Sequence, residues 1–191
     1  MIENIKQQKL AKAKKMMLLF GLLSITMTFA GLTSAYIVSK GRPDWTMDFN
    51  LPSEFFYSTF IILLSSLTLF LSKRKLNSGK SINSVFNWTL LTFFLGIVFI
   101  VFQFIGFNNI IDQGYYFAGA QSAIKTSFIY VLSFLHIVHL VAGLIVLIVL
   151  MFNIKKGKYV DNNLGFNLGS NFWHFLDFLW LYLFSFFYFF G

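Results

Sequence analysis

Five long apolar runs dominate the chain, at about Met16–Val38, Phe55–Ser72, Val85–Phe107, Ser127–Phe152 and Phe172–Phe190, with short polar segments between them. Each run has about 18–26 residues, and at 1.5 Å of rise per residue each helix would reach across a hydrocarbon core of about 30 Å. Backbone polar groups in lipid must be satisfied internally, so a spanning segment is a helix or part of a closed barrel. Barrel strands are about ten residues of alternating polarity, whereas these runs are about twice as long and do not alternate. The pattern predicts an all-α fold, an integral membrane bundle of five transmembrane helices. Residues 1–15 form a basic tail and residues 16–191 a single membrane domain. The first run has a basic flank and carries Thr33-Ser34-Ala35, which resembles a signal-peptidase site. It continues to Val38, however, beyond the usual signal-peptide core of about 7–15 residues, and is read as a span.

Charge sets the orientation. Lys6, Lys9, Lys12, Lys14 and Lys15 in the tail share one side with Lys73, Arg74, Lys75 and Lys80 and with Lys155, Lys156 and Lys158. Only Lys40, Arg42 and Lys125 fall on the other. Basic residues stay cytoplasmic, so the N-terminus is expected inside and the C-terminus outside. The net charge of +8 then faces anionic inner-leaflet lipid, and no nucleic-acid role is expected. A composition of 57% hydrophobic, 20% aromatic and 12% charged residues excludes an ordinary soluble enzyme and a disordered regulator. The absence of Cys removes disulfides, thiolate nucleophiles and thiolate metal sites. The loops are too short for a separate catalytic domain. No internal repeat is visible, which argues against a transporter built from inverted halves.

Ionisable groups inside a membrane are expensive, so each needs a physical reason. The fourth run holds His136 and His139, the fifth His174 and Asp177, and both pairs are spaced i, i+3 on one helical face. The imidazoles could ligate a metal or haem, with His174 and Asp177 completing the set. Alternatively they stay neutral and bond backbone or hydroxyl groups of neighbouring helices. Depth favours the second. Counted from the ends of the runs, His136 lies about 14 Å from the outer end and Asp177 about 8 Å from the inner end, so a compact cluster would need the helices to slide. Asp177 falls in the predicted first turns of helix five, where a carboxylate suits the helix N-terminus and can bond His174. It is the one carboxylate in the runs, while Gln103, Thr92, Ser65, Ser66 and Thr68 cannot titrate, so a proton channel is not expected. Ala30-Gly31, Ser34-Ala35, Ser65-Ser66, Gly96 and Ala142-Gly143 predict close helix approach. Trp173, Trp180, Tyr182 and Tyr188 frame helix five, with Trp173 and Tyr188 suited to interfacial belts.

The run Phe172-Trp173-His174-Phe175-Leu176-Asp177-Phe178-Leu179-Trp180-Leu181-Tyr182-Leu183-Phe184, with its Tyr188-Phe189-Phe190-Gly191 end, resembles the signature of subunit III of haem–copper oxidases. In that family the last helix reads aromatic-W-H-F-V-D-V-V-W-L-F-L. Four further segments agree with the same family. They are Phe134-Leu135-His136-Ile137-Val138-His139 with Gly143; Leu51-Pro52 with Ser58-Thr59 and Leu63-Leu64-Ser65-Ser66-Leu67-Thr68; Gly96, Phe99 and Gln103; and Phe29-Ala30-Gly31-Leu32 with Ser34-Ala35-Tyr36. The resemblance covers about residues 16–191 and corresponds to the shorter, five-helix form.

What the resemblance implies is a subunit without redox chemistry of its own. It would pack beside subunit I, with subunit II in the same complex, bind phospholipid between its helices, and support proton uptake while the complex reduces O₂ to water. Haem and copper would lie in those partners, and no cofactor or catalytic residue is expected in this chain. His136, His139, Trp173, His174, Asp177, Trp180, Ser65, Ser66 and Gln103 would serve structure, lipid or the subunit interface. A bacterial cytoplasmic membrane and assembly into a respiratory supercomplex are further expectations, with the donor, cytochrome c or quinol, open. Three positions where the family usually carries a carboxylate are Ile25, Gly106 and Asn167 here. The residues alone leave two rivals, a stand-alone transporter or lipid-binding protein, and a membrane cytochrome using His136 and His139.

Overall fold

The computed structural model describes residues 2–42, 45, 51–78, 81–117, 123–159 and 162–190, with side chains from residue 5 onward. Lys80 and Gly191, part of the sequence reading, lie outside the described residues. Among the described residues the chain forms five α-helices, α1 Ile2–Ser39, α2 Glu54–Asn77, α3 Ile82–Asp112, α4 Ile124–Lys155 and α5 Leu164–Phe190. All five are long and apolar enough to cross a membrane, so the chain is a multi-pass membrane protein.

Each helix outruns its apolar run, because backbone hydrogen bonding continues into the interfacial polar residues until a stop signal intervenes. For α3 and α4 that signal is a glycine in the left-handed region, Gly114 at φ +87° and Gly157 at φ +69°. Around each, paired backbone bonds close the last turn (Tyr115 N–H to Ile110 O and Gly114 N–H to Ile111 O; Lys158 N–H to Asn153 O and Gly157 N–H to Ile154 O). At the start of α5 the Asn162 Oδ1 accepts the Leu164 N–H at 2.9 Å, which absorbs one orphan donor.

The largest departures from the sequence expectation are at two N-termini. Helix α1 runs through the basic tail to Ile2. Helix α5 starts eight residues before the expected Phe172, since Leu-Gly-Phe-Asn-Leu-Gly-Ser-Asn mixes polar and apolar residues too evenly for hydropathy to mark it. Asp177 therefore sits about 20 Å along α5, well past any favourable interaction with the helix N-terminus, and that expectation is corrected.

Helices α2, α3, α4 and α5 pack in a closed ring, and α1 lies outside it against α4 and α5. The buried positions repeat every seven residues, as Phe55, Ile62 and Leu69 on α2 and Phe166, Trp173, Trp180 and Phe187 on α5. A sustained seven-residue period keeps one seam facing the neighbour, as in left-handed bundles. Because α1 has neighbours on one side alone, Ala30, Gly31, Ser34 and Ala35 point outward. A Cβ on Gly31 would meet nothing within 4 Å. The predicted close approach on α1 does not occur within this chain.

Candidate functional site: a hydroxyl spine on α2

Helix α2 carries hydroxyls on two adjacent stripes, and nearly every one has a partner on another helix. Its donor hydrogen is usually spent on its own helix. Thr59 Oγ1 donates to Phe55 O at 2.7 Å and Ser65 Oγ to Ile62 O at 2.8 Å. A hydroxyl so engaged still offers lone pairs, and a tryptophan Nε1–H can only donate. The two match. Trp180 Nε1 donates to Thr59 Oγ1 at 2.9 Å and Trp173 Nε1 to Ser65 Oγ at 3.1 Å. One residue further round, Ser66 Oγ meets His174 Nδ1 at 2.7 Å. Three bonds thus fasten α5 to α2.

The second stripe faces α3. Gln103 Nε2 donates to Ser58 Oγ at 2.8 Å, Thr68 and Thr92 hydroxyls pair at 2.8 Å, and Ser72 pairs with Thr89 at 2.9 Å. In lipid, where apolar burial gives no drive for helices to associate, such bonds and close packing hold the bundle. Each contributes on average about 0.6 kcal/mol and at most about 1.7. Ser72 and Thr89 were missed by the sequence reading, and Ser58 and Thr59 entered it only through the family resemblance. The signal was present in the seven-residue spacing of Ser58, Ser65 and Ser72.

Trp173 is the keystone of this arrangement. It is 1% exposed, so it lies in the bundle core and not in an interfacial belt as its sequence context suggested. A Cβ on Gly96 of α3 would stand 2.7 Å from its Cη2, and one on Gly143 of α4 3.2 Å from its Cε3. The indole is seated against two facing helices while a third holds its N–H. The close approach predicted at Gly96 and Gly143 is therefore made to a side chain of α5. Gly106 has a similar cause, since a Cβ there would stand 2.8 Å from the Phe55 ring. Phe55 fills the space that a carboxylate side chain would need.

The imidazoles diverge. His136 is fully buried between Phe99 and Trp180, with ring centroids at 5.9 and 5.2 Å, and neither nitrogen has a hydrogen-bond partner. The expected bond to a neighbouring helix is absent at this residue. His139 turns toward α1, edge-on to Phe29 at 5.7 Å, and its Nδ1 meets Leu135 O of its own helix at 2.7 Å. The two therefore address different surroundings despite their spacing. His174 is the one imidazole bonded across helices, through Ser66. Its Nδ1 lies 3.9 Å from Asp177 Oδ2, too far for the hydrogen bond expected between them. Asp177 is 2% exposed and neither of its oxygens meets a hydrogen-bond partner. Among the described residues no three His, Cys, Asp or Glu side chains converge on a point that could hold a metal.

Outside the spans, Tyr159 caps the α4–α5 connection. Its hydroxyl accepts from Asn153 Nδ2 at 3.2 Å, and its ring packs edge-on to Phe166. Burial pushes this hydroxyl above the usual tyrosine range, and the Asn153 donor opposes the shift in part.

Comparison with known proteins places this geometry. The family model described as cytochrome c oxidase subunit III matches residues 6–191. The chain is 37% identical over 138 residues to cytochrome bo(3) ubiquinol oxidase subunit 3 of Buchnera aphidicola (subspecies Baizongia pistaciae), covering 70% of this chain and 67% of the relative. It is 33% identical over 169 residues to the protein of that name in Pseudomonas aeruginosa, covering 86% and 78%. With cytochrome c oxidase subunit 3 of Bacillus sp. PS3 it shares 30% identity over 165 residues, covering 84% and 77%.

Proposed function

We propose, from the fact that the chain belongs to the cytochrome c oxidase subunit III family, that it is the non-redox subunit III of an aerobic respiratory haem–copper oxidase. It packs beside subunit I in a complex with subunit II, and these partners carry the haem and copper. It binds phospholipid, stabilises subunit I and supports proton uptake while O₂ is reduced to water. It sits in the bacterial cytoplasmic membrane with its basic N-terminus inside, and the oxidase joins a larger respiratory assembly.

One observation carries this reading, namely that the family match spans a bundle whose polar side chains are spent mainly on holding helices together. His136 and His139 face apart, and Trp173, Trp180, His174 and Gln103 are tied to α2 hydroxyls. A chain so arranged suits a scaffold, with electron transfer left to its partners.

A second reading concerns the donor. The names of two of the three relatives above favour a quinol-oxidising complex, and those of the third and of the family favour cytochrome c. We take quinol as the donor, on the higher identities of the two. The test is purification of the tagged chain from its own membranes in mild detergent. Haem-bearing partners are expected to co-purify, and O₂ uptake by the complex is expected with ubiquinol rather than with reduced cytochrome c. A chain that never brings down a haem protein would contradict the function; activity with cytochrome c alone would contradict the donor.

A further inference from the structure

A slot of about 500 Å³ opens between the last turns of α4 and the first turns of α5. Asn153, Val149 and Ile145 line it from α4 at intervals of four residues, so this wall runs about 12 Å from the α4–α5 connection into the bundle. Gly165, Gly169 and Phe172 line it from α5 in the same direction, and Leu18 of α1 borders it. Helix α5 brings no Cβ to the first two of these positions. One on Gly165 would stand 3.1 Å from Tyr159 Cε1, and one on Gly169 2.9 Å from Leu150 Cδ1. Tyr159 and Asn153 form the polar end of the slot, and no Asp, Glu, Lys or Arg lines it. Lys155, two residues beyond Asn153, holds its Nζ over the Phe86 ring of α3 at 4.6 Å.

We propose that this slot binds an isoprenoid quinone, with its ring at Tyr159 and Asn153 and its tail along Val149, Ile145 and Phe172. The chemistry selects the occupant. The Tyr159 hydroxyl accepts from Asn153 Nδ2 at 3.2 Å, and among the described residues its hydrogen and the Asn153 carbonyl oxygen have no other partner. One neutral donor and one neutral acceptor therefore stand side by side. A quinone carbonyl takes the tyrosine hydrogen, and a quinol hydroxyl gives its own to the amide oxygen, so the same pair serves both redox forms. A phosphate would be buried there without a cation, at a large desolvation cost, which disfavours a phospholipid. The wall that Gly165 and Gly169 leave bare is flat, and with the Tyr159 ring beside it suits a planar ring. The apolar remainder, in a slot of ordinary size for a small-molecule site, takes the first isoprene units. No bond or electron changes hands in the slot, which holds donor molecules beside the complex that consumes them.

The ligand class rests on the quinol reading of the donor, and binding is measured apart from O₂ uptake. The full chain, freed of its partners, is placed in phosphatidylcholine nanodiscs with a photoreactive ubiquinone analogue, and labelled peptides are located by mass spectrometry. Label is expected within residues 145–172, and an unlabelled short-chain ubiquinone is expected to suppress it. Val149→Trp, at a half-exposed position, fills the slot from the lipid side and is expected to remove the label at unchanged helix content. Tyr159→Phe keeps the ring but loses the donor, and is expected to weaken binding about fivefold. Label confined to other segments, or label unchanged by Val149→Trp, would overturn the proposal. So would equal suppression by phosphatidylglycerol or by diacylglycerol at the same mole fraction. Ubiquinol-driven O₂ uptake by the complex without label in the slot would remove this site and keep the donor. Uptake with cytochrome c alone, with the slot labelled, would remove the donor and keep the site.

Discussion

The indole N–H of Trp173 donates to the Ser65 hydroxyl at 3.1 Å, joining the last helix to the second across the centre of the bundle. The Ser65 hydrogen is already given to Ile62 O, so the bond has a fixed direction. Changing Ser65 to Ala leaves a donor-only group buried without a partner, at about 1–3 kcal/mol. Trp173→Phe removes the donor but also the packing against Gly96 and Gly143. A double-mutant cycle on resistance to unfolding in detergent is expected to show coupling between the two of about 0.6–1.7 kcal/mol. Additive effects would mean that the bond contributes nothing.

Glycines on the two sides of the bundle are expected to differ. Gly96→Ala puts a methyl 2.7 Å from Trp173 Cη2 and 2.9 Å from Leu144 Cδ2, and overpacking of this kind typically costs about 1–3 kcal/mol. A Cβ at Gly31 meets nothing within 4 Å, so Gly31→Ala should leave the isolated chain within about 0.5 kcal/mol of its parent. Thermal melts of the two variants side by side check this, and equal melting temperatures would contradict it.

Ser66 and Asp177 face the same imidazole with different expected outcomes. Ser66 makes the bond that His174 uses, and Ser66→Ala should lower stability by about 1 kcal/mol. Neither Asp177 oxygen meets a hydrogen-bond partner, so Asp177→Asn, which keeps the shape of the side chain, should lower bundle stability less than Ser66→Ala does. A destabilising Asp177→Asn with a neutral Ser66→Ala would reverse the assignment of which residue anchors α5.

Tyr159 sets an alkaline limit on the α4–α5 connection. Its hydroxyl is raised in the folded chain by burial, so the neutral form is favoured there. The stability it contributes is complete below the unfolded value of about 10 and is lost as pH rises through the folded one. Tyr159→Phe, which cannot ionise, is expected to flatten the loss of stability measured above about pH 10. An unchanged alkaline profile would show that this residue does not control it.

Much of the fold could be read from the sequence because lipid forces spanning segments to be helical, and hydropathy alone marks their centres. It could not mark the first eight residues of α5, where Gly165, Asn167 and Gly169 interrupt the apolar run while still serving the helix. That error displaced Asp177 toward the membrane surface. Family likeness picked out Ser65, Ser66, Trp173, His174 and Trp180, but i, i+3 spacing misjudged the pairings. Helical spacing shows which residues share a face, whereas the partners of Trp173 and His174 lie on α2, more than 100 positions earlier. Likewise Ala30, Gly31, Ser34 and Ala35 show that small residues allow close approach but do not say to what.

The imidazoles of this chain are proposed to brace or pack helices and to hold no redox centre. Iron and copper content and the haem absorbance spectrum of the chain, separated from its complex with helix content intact, decide the matter. Less than a tenth of an equivalent of either metal and no Soret band are expected, with haem remaining in the partner fraction. A stoichiometric metal or haem that stays with this chain and is lost on changing His136 or His139 to Ala would contradict it.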